Sequence, residues 1–261
     1  MTLEIFPENF LRLYGGEESL RLKNIEEIIN DEALLLHAHA IECAMDTIKY
    51  FTQASSKEDN NQLVIQWLGC RIFNASASAL KLLLSGYYQA SALQQRDLLE
   101  MAFLLDYFSI DKNFITEWTK KETEKEFRNK FRPVNVREAL RKRDNFTECK
   151  RTERYDFLCK LAGHPTYEGF RMLTIVPGGD ARIGPFDDTK AMAATLVELA
   201  RTMIEASEHF QHFFEHRNDT DIKQKFLSYE NKVKWFERFY SRPLDREFLE
   251  EMCAALIGEN V

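Results

Sequence analysis

The sequence predicts an all-α protein, a single helical bundle of about eight or nine helices with one long Gly/Pro-rich loop. Three observations carry this. Apolar residues recur at helical spacing almost from end to end, and no stretch alternates apolar and polar residues between turn signals. Only 10 Gly and 6 Pro occur in 261 residues, and half of them fall between residues 163 and 187. The chain is 44% hydrophobic and holds 20 Phe, 9 Tyr and 3 Trp, enough to fill a sizeable core and far from the composition of a disordered chain.

In chain order, an irregular start is expected to end at Gly15 and Gly16, before a long or once-broken helix over 17–54 whose break and N-cap fall at Asn30 and Asp31. SSKEDNN at 55–61 reads as a loop. Helices over about 62–85 and 87–108 flank Gly86 and form the central hairpin, the second being apolar on most of its circumference through Leu93, Leu98, Leu99, Met101, Phe103, Leu104 and Leu105. More polar helices follow near 113–129, 135–143 and 151–162, with Phe131-Arg132-Pro133 as a stop and Gly163-His164-Pro165 closing the last. After the loop over 163–187, Asp187 or Asp188 caps a helix to about Arg217. Asp219 opens another to about Tyr240, and Arg242-Pro243 introduces a last one ending near Gly258. The whole is expected to be one domain over 1–261, with a core over about 17–217 and a peripheral helical hairpin over about 219–258.

Charge is uneven. The net charge is −7, yet residues 117–154 hold 13 Lys or Arg against 8 Asp or Glu. An acidic chain with one basic segment does not suit a general nucleic-acid coater. Arg137, Arg141, Lys142 and Arg143 on one helix are placed to meet a phosphate-rich ligand or an acidic protein partner, and the competing reading is a solvated, salt-bridged helix pair. No apolar run approaches the roughly 20 residues of a membrane span, and MTLEIFPENF lacks the features of a signal peptide, so no membrane association and a cytoplasmic location are expected. The five cysteines follow no metal or disulfide pattern, which agrees with a reducing compartment.

Arg96 and Glu100 lie four apart on the most apolar helix, sharing a sector with Leu93 and Phe103, and Asp97 widens it. Ions so placed are partly buried, at a cost that either a site or the fixing of helix register has to offset. The functional reading is an Arg that grips a ligand or phosphate, oriented by Glu100. His164, where a helix stops, suits an exposed acid, base or phosphate contact, or else a cap. Tyr155, Arg171, Asp180 and Arg182 join it if the loop folds back over the core. Glu205, His209, His212 and His216 form one stripe of a helix, with Phe210, Phe213 and Phe214 on its buried flank, so these histidines are expected toward solvent. His37, His39, Glu42 and Cys43 form a looser group; a metal held by His209, His212 and His216 ranks last among the readings, and no metal is assigned to either set. No phosphate-binding loop, dinucleotide fingerprint, H-E-x-x-H, G-x-S-x-G or paired E-x-x-H occurs, and no cofactor is expected.

Ser85-Gly86-Tyr87-Tyr88-Gln89-Ala90, Gln95-Arg96-Asp97-Leu98-Leu99-Glu100, Tyr155-Asp156-Phe157-Leu158 and Gly163-His164-Pro165 resemble a family of bacterial all-helical proteins that pair an R-x-x-x-E on a central helix with a helix-ending H-P. The resemblance covers roughly residues 62–200. That layout is similar to the HEPN helical proteins, many of which dimerise and act as ribonucleases in toxin and phage-defence systems. The resemblance implies a homodimer and a metal-independent defence or stress-response ribonuclease acting on RNA. In it His164 acts as acid or base, and Arg96 or Arg154 steadies the phosphorane charge beside Glu100. The sequence departs from the HEPN nucleases, which carry Arg followed by four to six residues and then His, because the Arg positions this requires before His164 are Phe157, Leu158 and Cys159. The alternative is a non-catalytic protein-interaction module in which the basic segment 117–154 docks an acidic partner and the loop 163–187 is the recognition element.

Overall fold

A computed structural model describes residues 6–54, 60–176, 179–215 and 217–240. Among them every regular element is helical and no strand occurs, with α1 (Glu8–Asn30), α2 (Glu32–Ala54), α3 (Asn60–Leu84), α4 (Tyr88–Ile110), α5 (Asn113–Thr119), α6 (Lys125–Lys130), α7 (Pro133–Arg143), α8 (Lys150–Leu158), α9 (Tyr167–Phe170), α10 (Thr189–Gln211) and α11 (Asp219–Tyr240). The all-α class is therefore observed, with 11 helices among the described residues rather than eight or nine.

The extra helices have local causes. The expected 113–129 helix is two, α5 and α6, because Thr119 and Thr123 turn their hydroxyls back onto the carbonyls of Thr116 and Lys120 and compete with continuation. The long loop contains α9, capped by the Thr166 hydroxyl, which accepts from the Gly169 N–H at 2.9 Å. At the other end, α1 begins at Glu8 and runs through Gly15 and Gly16, where an irregular start was expected. A glycine inside a helix costs about 1 kcal/mol and does not forbid it, and the flanking Glu8–Arg12 and Glu18–Arg21 pairs favour the helical state. The break at Asn30 and Asp31 is where it was expected, with the Asp31 carboxylate accepting from the N–H groups of Ala33 and Leu34. Asp188 caps α10 in the same way through Lys190 and Ala191. α10 stops at Gln211 rather than near Arg217, because the chain turns to bury Phe214 against Phe51 and Phe210. The expected final helix over 242–258 lies outside the described residues, as do the loop residues 55–59, Pro177, Gly178 and His216.

The core is built by α2, α3, α4 and α10, with α4 packed on α3 and α10, and α2 closing the circuit against both α10 and α3. On α4, Leu98, Leu99, Ala102, Leu105 and Phe108 are sealed from solvent, as a helix apolar on most sides requires, while Leu93 points outward. Polar ties cross this core. Ser91 donates to the Ala79 carbonyl at 2.8 Å, and the Gln95 amide donates to the Thr195 carbonyl at 3.1 Å, linking α3, α4 and α10.

α11 covers α2 on the outside of the bundle through a buried aromatic cluster. There Trp235 donates its indole N–H to Nδ1 of His37 at 2.8 Å, and Phe239 stacks on the imidazole at 4.1 Å. Burial pushes the pKa of His37 down to about 4, against a weaker opposing pull from Asp31. Protonation removes the acceptor that Trp235 needs. A depressed histidine pKa means that the unfolded chain binds the extra proton first. The stability it contributes is therefore complete above its ordinary pKa near 6.5 and is lost as pH falls toward 4. Urea unfolding should show a loss of about 2 kcal/mol attributable to this group between about pH 7.5 and about pH 5, from 1.36 kcal/mol per pKa unit. His37→Phe should flatten that part of the profile, and an unchanged slope would assign it to other groups.

Candidate functional site

The helix α4 delivers Arg96, Asp97 and Glu100 to the side of the bundle where α3, α5, α7 and α8 converge. Arg96 and Glu100 are 22% and 24% exposed at their side chains and pair at 3.2 Å. The partly buried pair anticipated from their spacing is in place. Glu100 also accepts the phenol proton of Tyr155 from α8. Burial, then Glu100 and Cys159, push the pKa of that phenol upward against the opposing Arg96 charge, so Tyr155 stays protonated and donates. Over the Tyr155 ring, at 3.9 Å, lies the guanidinium of Arg137 from α7.

These groups border a cavity of about 380 Å³, lined by Val64, Trp67, Leu68 and Arg71 of α3, Asp97, Glu100 and Met101 of α4, Trp118 of α5, Lys121, and Phe131, Val136 and Arg137 around α7. Arg71 clamps Asp97 with two hydrogen bonds of 3.2 and 2.7 Å. Lys121 places its ammonium 4.4 Å over the Trp118 ring, and burial lowers its pKa. The lining thus carries three cations, while both carboxylates are already neutralised by Arg71 and Arg96. Arg137 is the outlier. It is 6% exposed, its Nε and Nη1 are buried without a partner, and none of its nitrogens bonds to a described residue. Buried donors without acceptors are expensive, and the Tyr155 ring against the Arg137 guanidinium offsets that cost only in part.

The remaining expected residues are placed as follows. His164 is exposed. Its backbone N–H closes a single π turn over Cys159–Gly163 onto the Cys159 carbonyl at 3.2 Å, and its side chain bonds to no described residue. A methyl group placed on the neighbouring Gly163 would lie 3.4 Å from Cδ of Arg96, so the fold brings Gly163, the residue before His164, beside the Arg96 stem. Arg154 spends its guanidinium on Glu198, Glu205 and Thr202, each at 2.5 Å, tying α8 to α10. Arg141 pairs with Glu138. Arg143 pairs with Asp106 and Asp144, and Lys142 approaches Glu138 at 3.6 Å, so much of the basic segment is matched internally. Arg171 is exposed at a second groove, and Asp180 is exposed on the loop. Arg182 joins the loop to itself through its N–H and the Leu173 carbonyl. Glu205 is taken by Arg154, His209 lies 3.9 Å from Asp106, and His212 is exposed just past α10. Among the described residues no group of three or more His, Cys, Asp or Glu is placed to hold a metal ion.

Trp67, Arg71, Trp118 and Lys121 carried no spacing that would have singled them out. For Arg137 a signal existed, because it follows Val136 and precedes Leu140 on the only apolar face of α7, which is where a buried residue must lie.

Comparison with known protein families, with curated proteins and with solved structures gives no match for this chain. Its class therefore follows from its own fold and site, an all-α bundle with an aromatic cavity lined by cations. No helix among the described residues is long and apolar enough to cross a membrane.

Proposed function

We propose that the protein recognises a nucleotide, a phosphate-bearing ligand with a flat ring, in the cavity between α3, α4, α5 and α7. The single observation that carries this reading is the unpartnered, buried Arg137 at a cavity whose size falls in the range of about 300–1,000 Å³ typical of ligand sites. A guanidinium fork matches phosphate oxygens in pairs. Trp67 and Trp118 offer ring faces on which a base can stack. Asp97 and Glu100 accept hydrogen bonds, and the amino and imino edges of a base donate them. A free mononucleotide and a nucleotide within RNA share this chemistry.

The ribonuclease version requires His164 at the scissile phosphate. In its favour stands only the closeness of Gly163, the residue before His164, to the Arg96 stem. As an interaction module, the basic segment draws little support from side chains already paired with Glu138, Asp106 and Asp144.

Calorimetric titration of wild-type protein with nucleoside monophosphates and with a short single-stranded RNA tests the reading. Arg137→Gln should weaken binding at least about tenfold, which is about 1.4 kcal/mol, with an unchanged circular dichroism spectrum. Absence of binding by every nucleotide and by the RNA would refute it. Binding of mononucleotides alone marks a small-ligand protein. RNA cleavage that disappears in His164→Ala would establish the nuclease.

A further inference from the structure

A second concavity, of about 830 Å³, runs between α8, the 171–175 turn and the start of α10. Leu161, Met172, Ala191 and Ala194 line it, with Phe157 and Ile175 as half-exposed walls. The small Ala191 and Ala194 leave the space that a larger side chain would fill. Exposed apolar side chains continue beyond its edges, at Phe170 and Val176 and most fully at Tyr167 and Ile183, which are 85% and 101% exposed. A single ligand of metabolite size would leave most of these uncovered, and apolar side chains gathered in this way mark a surface that another chain covers.

The groove is preformed. The π turn over Cys159–Gly163 carries Lys160 and Leu161 into its wall, and the Gln89 amide on α4 holds that wall by donating to the carbonyls of Leu161 at 2.9 Å and Gly169 at 2.8 Å. Such π turns recur at functional positions in helices.

The charge on the rim selects the partner. Glu153, Asp156 and Glu168 line the groove and form no ion pair within the described residues, while Asp188 is engaged in capping α10. Against these stand Lys160 and Arg171. Unpaired carboxylates in excess repel nucleic acid and anionic lipid, and they attract lysine and arginine.

We propose that this groove docks a basic, amphipathic segment of a protein partner, two apolar anchors entering over Ala191 and Ala194 while flanking Lys or Arg side chains meet Glu153, Asp156 and Glu168. The site is separate from the nucleotide cavity and stands or falls without it.

The test is selection from a random-peptide library displayed on phage, with the full-length protein as bait, followed by binding of the enriched peptides to three variants. Enriched peptides should carry Lys or Arg on either side of two apolar residues. Their affinity should fall at least about tenfold in Glu153→Lys/Asp156→Lys, and again in Ala194→Trp, and should weaken as salt is raised. These substitutions are at exposed positions, so the circular dichroism spectrum should be unchanged. Arg137→Gln should bind the peptides as the wild type does. Failure to enrich any peptide, enrichment of neutral or acidic peptides, or binding that survives both groove variants would overturn the proposal.

Discussion

Asp106→Ala should lower the stability of the protein by about 2–4 kcal/mol, because removing one partner of a buried ion network leaves the others uncompensated. Asp106 sits near the end of α4 with its side chain 4% exposed, accepts from Arg143 at 2.6 and 3.1 Å, and accepts again from Arg151 at 3.3 Å. Asp144 bridges the same two arginines at 2.6 Å each, and they hold its pKa below the ordinary value. The network bolts α7 and α8 onto the core. The loss falls below the usual upper limit because Arg143 and Arg151 keep a third and a quarter of their side-chain surface in water. Urea unfolding of the variant measures it, and a loss under about 1 kcal/mol would mean that solvent screens the network. Since α7 also carries Arg137, the same variant should bind nucleotide more weakly than its residual folded fraction explains. Pairing Asp106→Ala with Arg143→Met in a double-mutant cycle should recover part of the loss, as expected for residues in direct contact.

Gly86→Val should cost about 2–5 kcal/mol, combining roughly 1–2 kcal/mol for a left-handed backbone with roughly 1–3 kcal/mol for overpacking. Gly86 ends α3 at φ +80. Its N–H reaches the Leu83 carbonyl at 3.1 Å, and the following Tyr87 N–H reaches Leu82 at 2.8 Å, the paired bonds of a glycine helix stop. A methyl group here would approach Cδ2 of Leu20 at 2.4 Å and the backbone oxygen and nitrogen of Phe186 at 2.7 and 2.9 Å. The leucine tip can move; the Phe186 backbone, which donates to the Gly86 carbonyl, cannot easily do so. Thermal unfolding of Gly86→Ala and Gly86→Val should show the valine as the worse of the two, because a β-branched residue is the poorer fit to positive φ. Equal and small losses would show that the α3–α4 turn yields.

Much of the fold was legible because it rests on local periodicity. The apolar circumference of α4, the break at Asp31, the stop at Gly86 and the cap at Asp188 are each written in a few adjacent residues. The partly buried Arg96–Glu100 pair was legible for the same reason, since four residues make one helical step. Where local reading misjudged the chain, at α1, at the α5–α6 split and at the end of α10, weak propensities were decided by the Glu8–Arg12 and Glu18–Arg21 pairs, by a hydroxyl turned onto a carbonyl and by Phe214 finding Phe51.

The candidate site was legible only in part. That Arg137 belongs with Tyr155, that Arg71 takes Asp97 and that Trp118 and Trp67 line one cavity depends on which faces of α3, α4, α5, α7 and α8 meet. Likewise, the sequence offers Arg154 and Arg143 either as ligand contacts or as part of a salt-bridged helix pair and names no partner for them, whereas packing supplies Glu198, Glu205 and Asp106 from 37 to 51 residues away. Helical class and the burial of one face follow from the order of residues, because periodicity acts within a single helix. The cavity, the stranded guanidinium and the acidic groove come from helices meeting at a distance, where shape and desolvation choose among partners that sequence spacing leaves equivalent.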